Sequence, residues 1–221
     1  MAAAVVLLAV PAVPFARQES DEARRIRDAS SVFGEIMAAE DSGIPESILG
    51  KAEGIAVFPS MVRGGFIFGG MRGRGILSSR NSGVWSPPAF LTLTGGSFGL
   101  QIGGQAVDLV LVINDRRGLE NLVSNQFKLG ADVAVAAGPV GRDAQAATDL
   151  QLRAQILSYS RSRGLFAGVT VNGSTVRQDR DANQRFYGQP LDTKNIVFGP
   201  GPGPRPDPIP GWLETLDRYA R

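Results

Sequence analysis

The sequence predicts an α+β fold: a single domain with a curved, mainly antiparallel β-sheet flanked by an N-terminal helical hairpin and short helices. Short apolar runs of strand length, punctuated by Gly, Pro and Asn, fill the centre of the chain. Helical periodicity is confined mainly to the flanks. Many of the 28 glycines lie inside apolar segments, where a strand bends or another backbone comes close. At 221 residues and 43% hydrophobic content, one well-filled domain with an appended tail accounts for the chain.

Residues 1–16 are an apolar, alanine-rich run ending Val13-Pro14-Phe15-Ala16 and followed by Arg17-Gln18-Glu19. The run has the size of a signal-peptide apolar region and is too short to cross a bilayer of about 30 Å as a helix. Pro11 and Pro14 oppose a buried helix there, and a basic leader is missing from it. It reads as a signal peptide, which gives the expectation of a periplasmic or secreted protein peripheral to the cell envelope. The domain is then expected over residues 17–190.

Ser20, Asp21 and Glu22 form a helix start, a capping side chain followed by acids at the positive end of the dipole. Ile26, Ala29, Phe33, Ile36 and Met37 continue one apolar stripe, with Arg24, Arg25 and Arg27 mainly off it. Such a helix can pack on a sheet or lie in a membrane surface. Gly43 ends it, and Pro45 suits the first turn of a short second helix through Lys51.

Strands are expected at 55–58, 65–77, 84–85, 89–94, 98–102 and 107–113, then a helix near 119–124. Strands at 131–137, 155–160, 164–171 and 175–176 follow, with a turn at Asn172-Gly173 and a short helix or turn at 183–187. In Gly69-Gly70-Met71-Arg72-Gly73-Arg74-Gly75, alternation leaves one face nearly bare and puts Arg72 and Arg74 on the other. Tight sheet curvature explains the glycines, and an anion-facing arginine pair is compatible with it.

The end of the chain, residues 191–221, is expected to be a Pro/Gly-rich linker and a short amphipathic helix. Gly199 to Pro210 cannot continue a helix or a central strand and reads as a polyproline-like spacer. Trp212, Leu216 and Tyr219 share a helical face. A helix of roughly ten residues is marginal alone, so it docks on the domain or meets a membrane or a protein partner.

Composition excludes much chemistry. The chain has no cysteine and no histidine, which removes thiol nucleophiles, disulfides, Cys/His zinc sites and histidine-based triads. No Gly-Lys-Ser/Thr ending or dinucleotide context accompanies the glycines. Three serines in Ile156-Leu157-Ser158-Tyr159-Ser160-Arg161-Ser162-Arg163 lack a base or a nucleophile elbow. No enzyme activity, cofactor, metal or nucleic-acid partner is expected. The pI of about 9.3 reflects the lack of groups titrating near neutrality, since the net charge is only +2. Arginines nevertheless cluster, six between Ser60 and Gly118 and six between Leu150 and Pro190. Asp108 and Asp132, each within an apolar run, must face solvent or be paired, and arginine pairing is the favoured account, with Arg161 and Arg163 as candidates.

Several segments occur together in order: Ala52-Glu53-Gly54-Ile55-Ala56-Val57-Phe58-Pro59, Gly64-Gly65-Phe66-Ile67-Phe68-Gly69-Gly70, Gly83-Val84-Trp85-Ser86-Pro87-Pro88-Ala89-Phe90 and Gly99-Leu100-Gln101-Ile102-Gly103. Ala137-Gly138-Pro139-Val140-Gly141-Arg142, the Ser-Tyr-Ser-Arg block and Asn183-Gln184-Arg185-Phe186-Tyr187-Gly188 complete them. Together they resemble the SYLF lipid-binding domain family over roughly residues 20 to 190. The resemblance implies a non-enzymatic domain that binds phosphoinositide-containing membranes through a basic surface and an N-terminal amphipathic helix. Carried onto this chain, the lipid-binding candidates are Arg24, Arg25, Arg27, Arg63, Arg72 and Arg74, with Arg63 standing where the family often has lysine. The expected partner is an anionic phospholipid membrane. Some family members bind actin, but an exported chain would not meet it. The alternative is a structural or partner-binding envelope protein that uses its sheet edge or C-terminal helix.

Overall fold

At 55–58, 76–77, 89–91 and 109–113 successive side chains on the central strands are apolar and buried, so both faces of the sheet need their own cover there. The computed structural model describes residues 19–39, 43–65, 68–98, 105–124, 126–141, 153–162 and 165–221. The expected signal segment, Arg142, Arg163 and most of the strand expected at 98–102 lie outside the described residues.

Among the described residues the strands are β1 (Gly54–Gly65), β2 (Phe68–Asn81), β3 (Val84–Trp85), β4 (Ala89–Phe98), β5 (Gln105–Ile113), β6 (Gln126–Lys128), β7 (Val135–Ala137), β8 (Ile156–Ser162), β9 (Leu165–Gly168) and β10 (Thr175–Gln178). The helices are α1 (Asp21–Met37), α2 (Glu46–Leu49), α3 (Arg116–Leu122), α4 (Arg180–Tyr187), α5 (Thr193–Val197) and α6 (Ile209–Tyr219). The sheet is curled, with the order β6-β10-β4-β2-β1-β5-β8-β7; β3 pairs with β2 and β9 with β8. Among the described strands only β7 and β8 pair in parallel, and an isolated bridge joins Leu129 and Val133 in the same sense. The expected α+β class, with a mainly antiparallel sheet, is the observed one.

Ile55 and Val57 of β1 join the core under α1 and α6, while Ala56 and Phe58 join the opposite core under α3 and α5. The apolar stripe of α1, with Ile26, Ala29 and Phe33 wholly buried, is spent on the first core. It meets α6 edge to face, Phe33 against Trp212 at 6.1 Å between ring centroids. Each such large side chain contributes about 1.5–3 kcal/mol by leaving water. This overturns the option that α1 presents an apolar face to a membrane: exposing the stripe would open the core. Among the described residues, no helix is long and apolar enough to cross a membrane.

The chain beyond residue 190 belongs to the same core. Thr193, Ile196 and Val197 of α5 are buried, and Pro202 is buried in the Pro/Gly segment, which joins two docked helices instead of acting as a free spacer. Trp212 and Leu216 are fully buried, and the Trp212 indole donates to Ser78 Oγ at 2.9 Å. Arg80 fixes the helix end, donating to the carbonyls of Leu49 (3.0 Å), Gly50 (3.0 Å) and Ala220 (2.6 Å). Trp212 and Leu216 therefore cannot also be the partner-holding face expected of that helix.

The strand expected at 131–137 is shorter. Gly130 at φ +83° and the turn at Ala131-Asp132 occupy its first half, and β7 begins at Val135. The helix expected near Leu119 begins at Arg116 because Asp115 caps it, accepting from Gly118 N–H at 2.5 Å.

The glycines of β2 make room for a bulge in β1. Pairing of β1 with β2 shifts register between Val57 and Val62, and Ser60 there has φ 48°. A Cβ on Gly75 would lie 2.4 Å from the Val57 carbonyl oxygen, and one on Gly73 2.3 Å from the Met61 side chain. Curvature and close approach are thus one feature.

Candidate anion-binding cleft

Helical spacing in α1 and alternation in β2 bring two charged edges together. Residues three and four apart share a helix face, which groups Asp21, Arg24, Arg25 and Asp28. Residues two apart share a strand face, which groups Gly70, Arg72 and Arg74. The β1 bulge supplies Pro59, Ser60 and Val62 between them. The result is a cleft of about 880 Å³ holding four arginines and two aspartates, a formal excess of two positive charges.

Its arginines differ. Arg72 and Arg74 are exposed and make no ion pair among the described residues. Arg24 is exposed and pairs with Asp21 at 3.4 Å. Arg25 is 5% exposed. Its Nη1 lies 3.0 Å from Asp179 Oδ2, its guanidinium stacks 5.1 Å from the Phe90 ring centroid, and its Nη2 is buried without a hydrogen-bond partner. Burial pushes the Arg25 guanidinium below the ordinary arginine range, Asp179 opposes this, and the like charge of Arg74 pushes it further down. It stays charged, because the unperturbed value lies far above neutrality.

Supporting contacts hold Arg25 in place. Asp179 caps α4, accepting from Ala182 N–H at 3.2 Å. The buried Glu22 pairs with Arg185 at 2.7 Å, and the Asn183 side-chain oxygen accepts from Phe90 N–H at 2.8 Å. The Asn-Gln-Arg-Phe-Tyr-Gly motif thus braces the wall of the cleft.

Of the six lipid-binding candidates, Arg24, Arg25, Arg72 and Arg74 converge. Arg25 does so as a buried floor and not as a surface contact. Arg27 lies off the cleft and pairs with Glu19. Arg63 pairs through its backbone with Met71 and Gln105, and its side chain is outside the described set. Asp108 and Arg161 form a structural pair: Asp108 Oδ2 accepts from Arg161 Nε at 3.0 Å and Nη2 at 2.9 Å, and Oδ1 accepts from Ser60 N–H at 2.9 Å. Asp132 corrects the arginine-pairing expectation. It is exposed in a turn, where its carboxylate accepts from Lys128 N–H at 2.6 Å. Being in water and capping a turn, it needs no cation.

The Ser-Tyr-Ser-Arg block is structural. Ser158 is buried with its hydroxyl within hydrogen-bond distance of the Ala136 and Val169 carbonyls. Tyr159 stacks on Phe166 at 5.5 Å, and a Cβ on Gly138 would lie 2.0 Å from its ring. Burial raises the Tyr159 hydroxyl well above the ordinary tyrosine range, so it stays protonated. Asp28 and Asp179 join the site beyond the residues expected from the sequence. Asp28 was legible as a carboxylate three residues after Arg25; Asp179 pairs across 154 residues and carried no local signal.

A family model described as "Ysc84: Las17-binding protein actin regulator" matches residues 94–219, more than half of the chain. The chain belongs to the Ysc84/SYLF family. LAS seventeen-binding protein 3 of Saccharomyces cerevisiae is 35% identical over 174 residues, covering 77% of this chain and 37% of that protein. Protein YSC84 of the same yeast is 34% identical over 174 residues, 77% of this chain and 36% of its own length. SH3 domain-containing YSC84-like protein 1 of Homo sapiens is 33% identical over 190 residues, 84% of this chain and 55% of that protein. The chain thus spans between about a third and a little over half of these relatives. The family match runs through α6, past the boundary expected at residue 190, while α1, β1 and β2 lie before its first matched residue.

Proposed function

We propose that this SYLF domain binds anionic phospholipid head groups at a membrane surface, without chemical turnover, through the cleft between α1 and β2. The observation that carries this reading is the pair Arg72 and Arg74, exposed in the cleft with no ion pair among the described residues, above the buried charge of Arg25. Two exposed guanidinium groups on one strand face suit a phosphate, whose oxygens accept from both.

Magnitudes favour a pocket over a charged surface. Each basic residue near an anionic membrane contributes about 1 kcal/mol, so four give only roughly millimolar binding. Bidentate guanidinium contacts to a phosphate supply what charge alone does not. An envelope location, as expected from residues 1–16, belongs to the proposal.

A second reading is capture of a protein partner. The matched family is described as Las17-binding, and relatives bear names of that kind. Actin is not carried over to a chain read as exported. The surface for a partner would exclude Trp212 and Leu216, which are buried.

Co-sedimentation with vesicles of increasing anionic lipid content separates the readings. Binding that rises with anionic lipid, falls with salt and is lost in Arg72→Glu/Arg74→Glu supports the cleft. Binding indifferent to lipid charge and to both substitutions overturns it. Both residues are exposed, so the double variant keeps its fold.

A further inference from the structure

The cleft carries an unpaired carboxylate as well as unpaired cations. On α1, Arg24 has Asp21 at 3.4 Å, Arg25 has Asp179 at 3.0 Å and Arg27 has Glu19. Every arginine near Asp28 on its own helix is therefore matched by another acid. Asp28 is exposed, lines the cleft and has no ion pair among the described residues. Across the cleft, Arg72 and Arg74 are likewise without an ion pair, and none joins the two walls, among the described residues.

A ligand consisting only of phosphate satisfies half of this arrangement. It would take up the two β2 arginines above the buried charge of Arg25, and leave the Asp28 carboxylate nearby as a repulsive charge. Asp28 stands one turn beyond Arg25 and Arg24, a spacing of about 5–6 Å between neighbouring Cβ atoms. A phosphate and an ammonium separated by two carbons span a comparable distance.

Resting on the lipid-binding reading above, we propose that the cleft selects a phosphate bearing a primary ammonium group, as in ethanolamine and serine phosphates. The phosphate sits against Arg25, Arg72 and Arg74, and the ammonium against Asp28. A primary ammonium has three donors for a carboxylate, whereas a quaternary one has none. The described lining residues include no aromatic ring, so choline gains no cation–π cage here. The same chemistry occurs in an aminophospholipid head group and in the free phosphoamine.

The test is a calorimetric titration of the full chain with O-phosphoethanolamine, glycerol 3-phosphate and phosphocholine. It is run on the parent protein, Asp28→Asn and Arg72→Glu/Arg74→Glu. The expected result is about fivefold tighter binding of phosphoethanolamine than of the other two, the size of one partly exposed ion pair. Asp28→Asn should remove that preference without weakening glycerol 3-phosphate, and the double arginine variant should lose all three ligands. Equal affinities, or a preference that survives Asp28→Asn, overturns the ammonium subsite while arginine-dependent glycerol 3-phosphate binding leaves the lipid-binding reading standing. No binding of any phosphate overturns both. Vesicles of phosphatidylcholine with phosphatidylethanolamine or phosphatidylserine identify the source. An Asp28-dependent gain on those vesicles assigns a lipid head group, and a gain confined to the soluble ligand assigns the free phosphoamine.

Discussion

Arg25 and Asp179, 154 residues apart, meet at 3.0 Å and join the first turns of α1 to the cap of α4. With Arg25 5% and Asp179 15% exposed, neither charge is well hydrated when alone. Asp179→Ala leaves the Arg25 charge buried and uncaps α4. Removing one partner of a buried pair costs about 3–5 kcal/mol, so a fall of the midpoint in urea by several tenths of its value is expected. Replacing both partners with apolar residues, Arg25→Met/Asp179→Leu, should recover much of the stability and none of the phosphate binding. A double variant as unstable as Asp179→Ala would show that the pair does more than neutralise itself.

Glu35 offers a pH handle. Hydrogen bonds from Arg161 and then from Ser31 hold its carboxyl below the ordinary glutamate range. A depressed folded-state value adds stability that is complete above the unfolded value of about 4.3 and is lost as pH falls through the folded value. Glu35 is 57% exposed, so solvent screening limits the effect to no more than about 0.5 kcal/mol. Glu35→Gln should lower stability slightly at pH 7 and not at pH 2.5, as read by urea midpoints at the two values. An equal loss at both would mean packing, not charge, is what the substitution removes.

Local patterns disclosed the elements that depend on local physics. Ser20 caps α1 as its side chain requires, Val84-Trp85 pair with β2, and Asn172-Gly173 turn the chain ahead of β10. The arginine pair on β2 followed from alternation alone. What stayed hidden was set by long-range pairing. The periodicity of α1 fits a membrane surface as well as it fits α6, and only the seating of Trp212 on Phe33 decides between them. Arg25, Arg24 and Arg27 are chemically alike in sequence. Their different fates follow from Asp179, Asp21 and Glu19. Helix α5 is five residues with no strong signal, held by burial of Ile196 and Val197.

Two glycines should respond oppositely to alanine. Gly34 is in α1 with nothing within 4 Å of an added Cβ, so Gly34→Ala should stabilise by about 0.5–1 kcal/mol through helix propensity. At Gly75 the added carbon meets the Val57 carbonyl at 2.4 Å and the Phe58 ring at 2.5 Å. Backbone cannot move aside cheaply between paired strands, and Gly75→Ala should destabilise by about 1–3 kcal/mol. Thermal unfolding of both variants measures the contrast. A neutral Gly75→Ala would mean that β1 is not pressed against β2 at the bulge.

The seating of α6 decides how partner-binding experiments on this domain can be read. Trp212→Ala removes a fully buried indole and its hydrogen bond to Ser78, a change expected to cost about 3–5 kcal/mol. Any partner lost with it would be lost through unfolding of the first core. Substitution on the exposed side of the same helix separates the effects. Glu214 and Arg218 are 72% and 62% exposed and, among the described residues, pair only with each other at 3.1 Å, so Glu214→Arg/Arg218→Glu should leave the melting temperature within a degree or two of the parent. If that charge swap abolishes capture of a protein partner while Arg72→Glu/Arg74→Glu does not, α6 holds the partner through its outer face. If the arginine variant alone abolishes capture, the partner competes for the cleft and presents an anionic group to it.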